Sequence, residues 1–400
     1  MTVLLLAFGC FTPMADPVSV ESIRFENDYT RRTDLVLRPF RYAGLSCPDG
    51  SQATFYAVYA ETLTEPAPIV VVFHGGAFDY VKARADGVVP AFDSDGAVHY
   101  SGDDRFTAEW AANKVFETLG LLDGLSPAEL EPTERNYGIL PAKLADAGAF
   151  TMYPANCWGD LWHNETGPRN NNWELDGGVH RDGRYLAWVM TAIANPIPDV
   201  ATQKRTELGL DDLPIPLDAS GVYVVGLGEG GRAASELRIR DLLNDVPNQN
   251  AAPIKGMVVD STMDLLSRLV QDDTTFKDIN DGLARIYPDH VDDDADGQID
   301  GDLVVVGAGW RDDIDNQLNY YSLWHAISKG GLTYPLGIWY SSADPLVPAA
   351  SLTDLLALAD NETAPYAGLI TVTDYGTADH TILNRDEDAA DAAVSLLFGE

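Results

Sequence analysis

Positive charge is scarce in this chain. Its 400 residues hold 26 Lys plus Arg against 62 Asp plus Glu, a formal net charge of −36. A surface so acidic repels phosphate backbones, which excludes nucleic acid as a partner. Asp outnumbers Glu and Lys is sparse beside Arg, a composition that suits a salty or extracellular setting or carboxylates that hold calcium. No internal repeat and no low-complexity tract is present, and no apolar run reaches the length of a membrane span. With 46% hydrophobic residues there is enough apolar material for a sizeable core.

Cysteine is nearly absent, at three residues. Cys10 follows the apolar run VLLLAFG. That start resembles a bacterial lipoprotein signal, in which a cysteine after a small-residue box becomes the lipidated N-terminus. Ala7 stands where Leu is expected, Phe8 is bulky, and no basic residues precede the run. The expectation is export to a bacterial cell envelope or the extracellular space, with a lipid anchor at Cys10 and residues 1–20 as signal and tether. Cys47 and Cys157 then remain, as a disulfide or as two free thiols.

From residue 21 onward the chain reads as one domain in which strands alternate with helices. Residues 23–61 are strand-like around the turn Cys47-Pro48-Asp49-Gly50. APIVVVFHGGA is a continuous β-branched run, as in a strand covered on both faces. Helix ILPAKLADAG precedes strand AFTMYPA, and RYLAWVMTAIA reads as an apolar helix. Then come strand VYVVG, a helix from about Arg232, strand KGMVVD, strand PLGIWYSS, helix ASLTDLLALA, strand LITVTDYG and a helix near 387–398. Two acidic insertions interrupt the series, a lid-like one at about 77–137 with a helical piece near 106–119, and one at 262–302. The alternation predicts a mostly parallel central sheet with helices on both faces, and function at the carboxyl ends of its strands.

The stretch VYVVGLGEGGRAASE decides between two chemistries. Gly226, Gly228 and Gly231 spell G-x-G-x-x-G, a dinucleotide-binding loop. That loop wants an acidic residue about 20 positions on; here Asp260 ends the next strand about 30 positions on, and several strands precede the glycines. The alternative is a nucleophile elbow, G-x-S-x-G, with Gly228 in place of serine. Three further elements support it in chain order. His74-Gly75-Gly76 follows the apolar strand. Asp344, in ADPLVP, follows a later strand. His380, in GTADH, follows the last one. On these residues the chain resembles the α/β-hydrolase superfamily, and within it HGG-loop esterases and prolyl-oligopeptidase-like serine hydrolases, over roughly residues 50–400 apart from the insertions.

The resemblance implies a triad with its nucleophile missing. Gly228 holds the nucleophile position, His380 is the base and Asp344 orients it. Backbone N–H groups of Gly75, Gly76 and Glu229 are the oxyanion donors. Glycine tolerates the strained elbow backbone, so the fold keeps its geometry while the attacking oxygen is lost. The expected protein is an exported hydrolase-fold chain that is dead or impaired and binds a small ester or peptide-like ligand, or a protein partner. The alternative is an active ester or peptide hydrolase in which serine was replaced, by engineering or sporadically. No nucleotide cofactor is expected. Other roles weigh less: Asp344 as a helix cap, Asp260 or Asp264 as the acid, Glu229 as a substitute base.

A second constellation is Asp292-Asp293-Asp294-Ala295-Asp296-Gly297-Gln298-Ile299-Asp300. It matches the near half of an EF-hand-type loop, with oxygens from Asp292, Asp294, Asp296, the Gln298 carbonyl and Asp300 around a calcium ion. Leu303 stands where a bidentate Glu is expected, so a weak structural site of extracellular type, or a plain acidic loop, is the expectation. The sequons at Asn164 and Asn361 and the polar-aromatic stretch 158–173 carry no decisive signal.

Overall fold

Every other residue of the APIVVVF run faces the same way, and the two faces bury equally well. The computed structural model describes residues 18–19, 23–25, 29–46, 52–74, 91–92, 98–99, 108–121, 138–155, 192–228, 230–231, 234, 253–262, 323–344, 347, 349–377 and 380–399. Strand β3 (Ala67–Phe73) sends Ile69, Val71 and Phe73 into one apolar layer and Val70 and Val72 into the other. All five are fully buried. β-Branched side chains lose little freedom on a pleated surface, so such a run is stable only between two covers.

The remaining main strands are β1 (Leu35–Ser46), β2 (Gln52–Ala60), β4 (Phe150–Ala155), β5 (Leu217–Leu227), β6 (Ile254–Asp260), β7 (Leu336–Tyr340) and β8 (Ile370–Asp374). Their spatial order is β1-β2-β4-β3-β5-β6-β7-β8. β2 runs antiparallel to both β1 and β4. From β4 to β8 every neighbouring pair is parallel. Two short strands, Val18–Ser19 and Ile23–Arg24, pair antiparallel with β1 at the edge.

Helices cover both faces, as the alternation predicts. One layer receives Val115 and Leu119 of α1 (Ala108–Leu119), Leu140 and Leu144 of α2 (Ile139–Asp146), and Ala389, Ala393 and Leu397 of α6 (Glu387–Phe398). The other receives Leu323 and Ile327 of α4 (Leu323–Gly330) and Leu355 of α5 (Thr353–Ala359), with the turn Ala192–Ala194 packed on α3 (Pro198–Glu207). Helix α6 shows why its ends fall where they do. Asp386 accepts from the Ala389 N–H at 2.8 Å, Glu387 and Asp388 occupy the first turn, and Gly399 closes it in a left-handed conformation.

Several sequence boundaries shift. The helix after the elbow is already formed at Gly230, two residues before Arg232. The start of ASLTDLLALA is a tighter turn, Ala349–Leu352, before α5. Only the Ala192–Ala194 end of the expected RYLAWVMTAIA helix is described, and it is a 3-10 turn. Helices α3 and α4 are additional to the elements expected from the sequence. Within the first insertion, α1 packs on β2 and β4 through Val115 and Leu119, so this piece belongs to the body of the domain. Residues 263–322, with nearly all of the second insertion, lie outside the described residues, as do Cys10, Cys47 and Cys157. No helix among the described residues is long and apolar enough to cross a membrane.

Candidate active site

Strand β5 ends at the centre of the sheet, between β3 and β6. The chain then reverses sharply. Gly228 takes φ +56°, its N–H donates to the Asp260 carbonyl at 2.8 Å, and its carbonyl accepts from the Gly231 N–H at 3.0 Å. The following helix is thereby pressed onto the strand ends. A Cβ on Gly226 would lie 2.5 Å from the Gly231 Cα. A Cβ on Gly230 would collide with the Phe73 carbonyl at the end of β3, and one on Gly231 with the Thr262 hydroxyl. The flanking glycines are therefore required by close crossing, while Gly228 sits in the left-handed region that glycine enters without steric cost.

Two loops beyond β7 and β8 bring the acid and the base together. His380 Nδ1 lies 2.9 Å from Asp344 Oδ2, and both side chains are buried, at 8% and 1% exposure. The other carboxylate oxygen, Oδ1, accepts from the Val347 N–H at 3.0 Å. Asp344 thus has two partners, neither of them in a helix. One oxygen satisfies the backbone of the segment that follows, and the other holds the ring. The loops are tied to each other as well. The Ser341 hydroxyl donates to the Thr377 carbonyl, and Asp374 Oδ1 accepts from the Ser342 and Gly376 N–H groups at 2.9 Å each.

Asp260 is not the partner of the ring. It is fully buried at the end of β6. Its Oδ1 accepts from the Ser261 hydroxyl at 2.9 Å, and its Oδ2 from the Leu383 N–H at 2.7 Å. Burial pushes its pKa up to about 6, against the pull of those donors and of nearby His380. His74 is also buried, at the end of β3.

A mostly parallel sheet carries a glycine-rich reversal after its central strand. An acid and a histidine follow in chain order, joined at 2.9 Å. The chain has the α/β-hydrolase fold. Its strand order, with one antiparallel strand near the edge, and its helices on both faces establish this without outside help.

No family model matches the chain, and no curated protein sequence matches it. Among solved structures, esterase B from Lactobacillus rhamnosis is similar at 12% identity and a TM-score of 0.45, over 93% of this chain and 86% of that one. Acetyl xylan esterase 1 from Thermoanaerobacterium is similar at 11% and 0.42, over 96% and 89%. A puromycin-hydrolysing peptidase from Mycobacterium tuberculosis is similar at 14% and 0.41, over 91% of this chain and 39% of that one. Likenesses this distant add nothing to what the α/β-hydrolase strand order already carries.

Of the residues singled out in the sequence, the described part of the chain places Gly228, Asp344 and His380 at the carboxyl ends of β5, β7 and β8. Gly75, Gly76 and Glu229 lie outside the described residues, as do Asp264 and the whole set Asp292, Asp294, Asp296, Gln298 and Asp300. Ser261 and Thr381 were missed. They are the only non-glycine residues with positive φ among those described, at +52° and +55°. Nothing in their identity signals it, since neither is a residue type that favours that region.

Proposed function

We propose that this chain is an α/β-hydrolase-fold protein of the serine esterase or peptidase type. It keeps the base and the orienting acid but has lost the nucleophile at Gly228. The observation that carries the reading is the buried Asp344–His380 hydrogen bond of 2.9 Å at the same carboxyl edge of the sheet as a reversal after β5 whose apex residue has no side chain. A carboxylate bound to Nδ1 fixes that nitrogen as the protonated one and leaves Nε2 as the basic position. That arrangement is suited to take a proton from a hydroxyl. Gly228 offers no hydroxyl, so the pair can at most activate water. In serine proteases stripped of their triad about 10³–10⁴-fold catalysis over water remains, which bounds what turnover to expect. On this reading the protein binds an ester or peptide-like small molecule, or a protein partner, and works outside the bacterial cytoplasm with a lipid anchor at Cys10.

Hydrolysis of short p-nitrophenyl esters by the protein and by Gly228→Ser, with fluorophosphonate labelling, tests the proposal. The expected result is labelling and turnover in Gly228→Ser only. Efficient turnover by the unaltered chain would overturn the loss of function. A silent Gly228→Ser would overturn the reading that only the nucleophile is missing.

A further inference from the structure

The elbow after β5, the strand β7 that leads to Asp344 and the segment just after His380 come from three parts of the chain. One dipeptide at the end of β6 is hydrogen-bonded to all three. The Asp260 carbonyl accepts the Gly228 N–H at 2.8 Å, which fixes the apex of the elbow. The Ser261 N–H donates to the Trp339 carbonyl at 2.9 Å, at the end of the strand that leads to Asp344. The Asp260 side chain accepts from Leu383 N–H at 2.7 Å, and the Ser261 hydroxyl accepts from Thr381 N–H at 3.1 Å, on the segment just after His380. The Ser261 hydroxyl also donates to Asp260 Oδ1 at 2.9 Å, closing the set. Asp260, Ser261 and Leu383 are all 1% exposed or less.

Two features set this apart from ordinary strand-end hydrogen bonding. A carboxylate is placed at zero exposure, where it costs free energy unless its acceptors are filled. Both donors come from the dipeptide itself and the histidine loop. In addition, Ser261 and Thr381 each hold a left-handed backbone that is strained for a non-glycine residue. Their hydroxyl-to-amide contact joins the two strained points. The contact between β6 and the histidine loop is thus over-determined, as expected where geometry is held against local preference.

We infer that Asp260 and Ser261 are positioning residues that hold His380 against Asp344 and in register with the Gly228 elbow, through the Leu383 and Thr381 amides. Neither touches a reacting atom. This inference rests on the function proposed above, because it concerns the same histidine.

Histidine nitrogen NMR on the whole 15N-histidine-labelled chain tests it without needing turnover. The His380 signals are identified by their loss in His380→Gln. In the parent, the Nδ1–H proton should appear far downfield and exchange slowly, as for a buried imidazole hydrogen-bonded to a carboxylate. Ser261→Gly removes the hydroxymethyl side chain, and with it the hydroxyl, and suits the left-handed backbone. It should move that signal upfield or speed its exchange at least tenfold. Asp260→Asn, which keeps one acceptor, should do the same. Leu208→Ala, just after α3 in the layer on the opposite face of the sheet, controls for general loosening and should leave the signal in place. A parent-like signal and exchange rate in a folded Ser261→Gly would overturn the inference while leaving the proposed function standing. If Asp260→Asn fails to fold, Ser261→Gly decides alone. A parent with no downfield His380 proton would overturn both the pair and its clamp.

Discussion

His380 Nδ1 meets Asp344 Oδ2 at 2.9 Å across 36 residues of chain, and each side chain is withdrawn from solvent. An acid and a base so placed make a pair whose worth depends on a third group. In Gly228→Ser, where that group is supplied, removal of the orienting acid should be severe. Asp344→Asn in that background should lower kcat on p-nitrophenyl esters by up to about 10⁴-fold, the size of the same change in a serine protease triad. Steady-state kinetics on the two variants check it. A loss confined to KM would mean that Asp344 serves binding rather than the ring.

Restoring the serine has a structural cost. Gly228 has φ +56°, and a residue with a Cβ is strained there by about 1–3 kcal/mol. Gly228→Ser should therefore unfold at lower denaturant with an unchanged m-value. Gly230→Ala should be worse. Its Cβ would meet the Phe73 backbone, which cannot yield as a side chain can, and overpacking costs about 1–3 kcal/mol or more. Urea titration of both variants orders them. Equal stability of Gly230→Ala and the parent would show that the helix does not cross β3 this closely in solution.

Asp260 should leave a mark on the pH dependence of stability. Its pKa is pushed up to about 6 by burial, from 3.8 for a solvated carboxyl. Between these values the folded chain binds a proton that the unfolded chain has released. Stability contributed by this group is therefore full below about pH 4 and falls as pH rises to about 6. The interval corresponds to about 3 kcal/mol at most. Asp260→Asn lacks this titration. The stability difference between parent and Asp260→Asn, measured by urea at pH 4, 5, 6 and 7, should shift in favour of Asp260→Asn as pH rises. A flat difference would show that Asp260 titrates in the folded state as it does in the open chain.

Calcium offers an independent check on the acidic insertion. The sequence Asp292-Asp293-Asp294-Ala295-Asp296-Gly297 predicts a site of extracellular strength, with Kd about 10⁻⁴–10⁻³ M. Equilibrium dialysis at millimolar calcium should show at least one ion fewer bound to Asp294→Ala plus Asp296→Ala than to the parent. Equal binding would remove the loop from consideration.

Helix α6 gives a local test of the layer that covers the histidine loop. Asp386 caps it through the Ala389 N–H. Asp386→Ala should cost about 1 kcal/mol and leave the His380–Asp344 pair intact, as read by the same downfield proton. Loss of that proton would mean that α6 rather than β6 holds the loop.

Much of this molecule was legible in the chain itself. The APIVVVF, VYVVG and KGMVVD runs are apolar and rich in valine, so they announce strands covered on both sides, and that pattern is local. The order of Gly228, Asp344 and His380 at successive strand ends is also a property of sequence, because strand ends are marked by where apolar runs stop. The glycines around position 228 declare a tight reversal for the same reason. The helices α3 and α4 were not read, although Pro198 and Asp199 at the start of α3 and Lys204 and Arg205 near its end are local helix signals and α4 is amphipathic. Sequence favoured Asp344 over Asp260 as the partner of the histidine by its place in chain order after the elbow and its ADPLVP context, but both are acids at strand ends. The choice was made by the positions of β6, β7 and β8 in one sheet, which put Asp344 beside the ring and turned Asp260 to the amides behind it. Side-chain chemistry was written in the chain; which carboxylate meets which donor is set by distances between segments 36 and 123 residues apart, and those exist only once the sheet has formed.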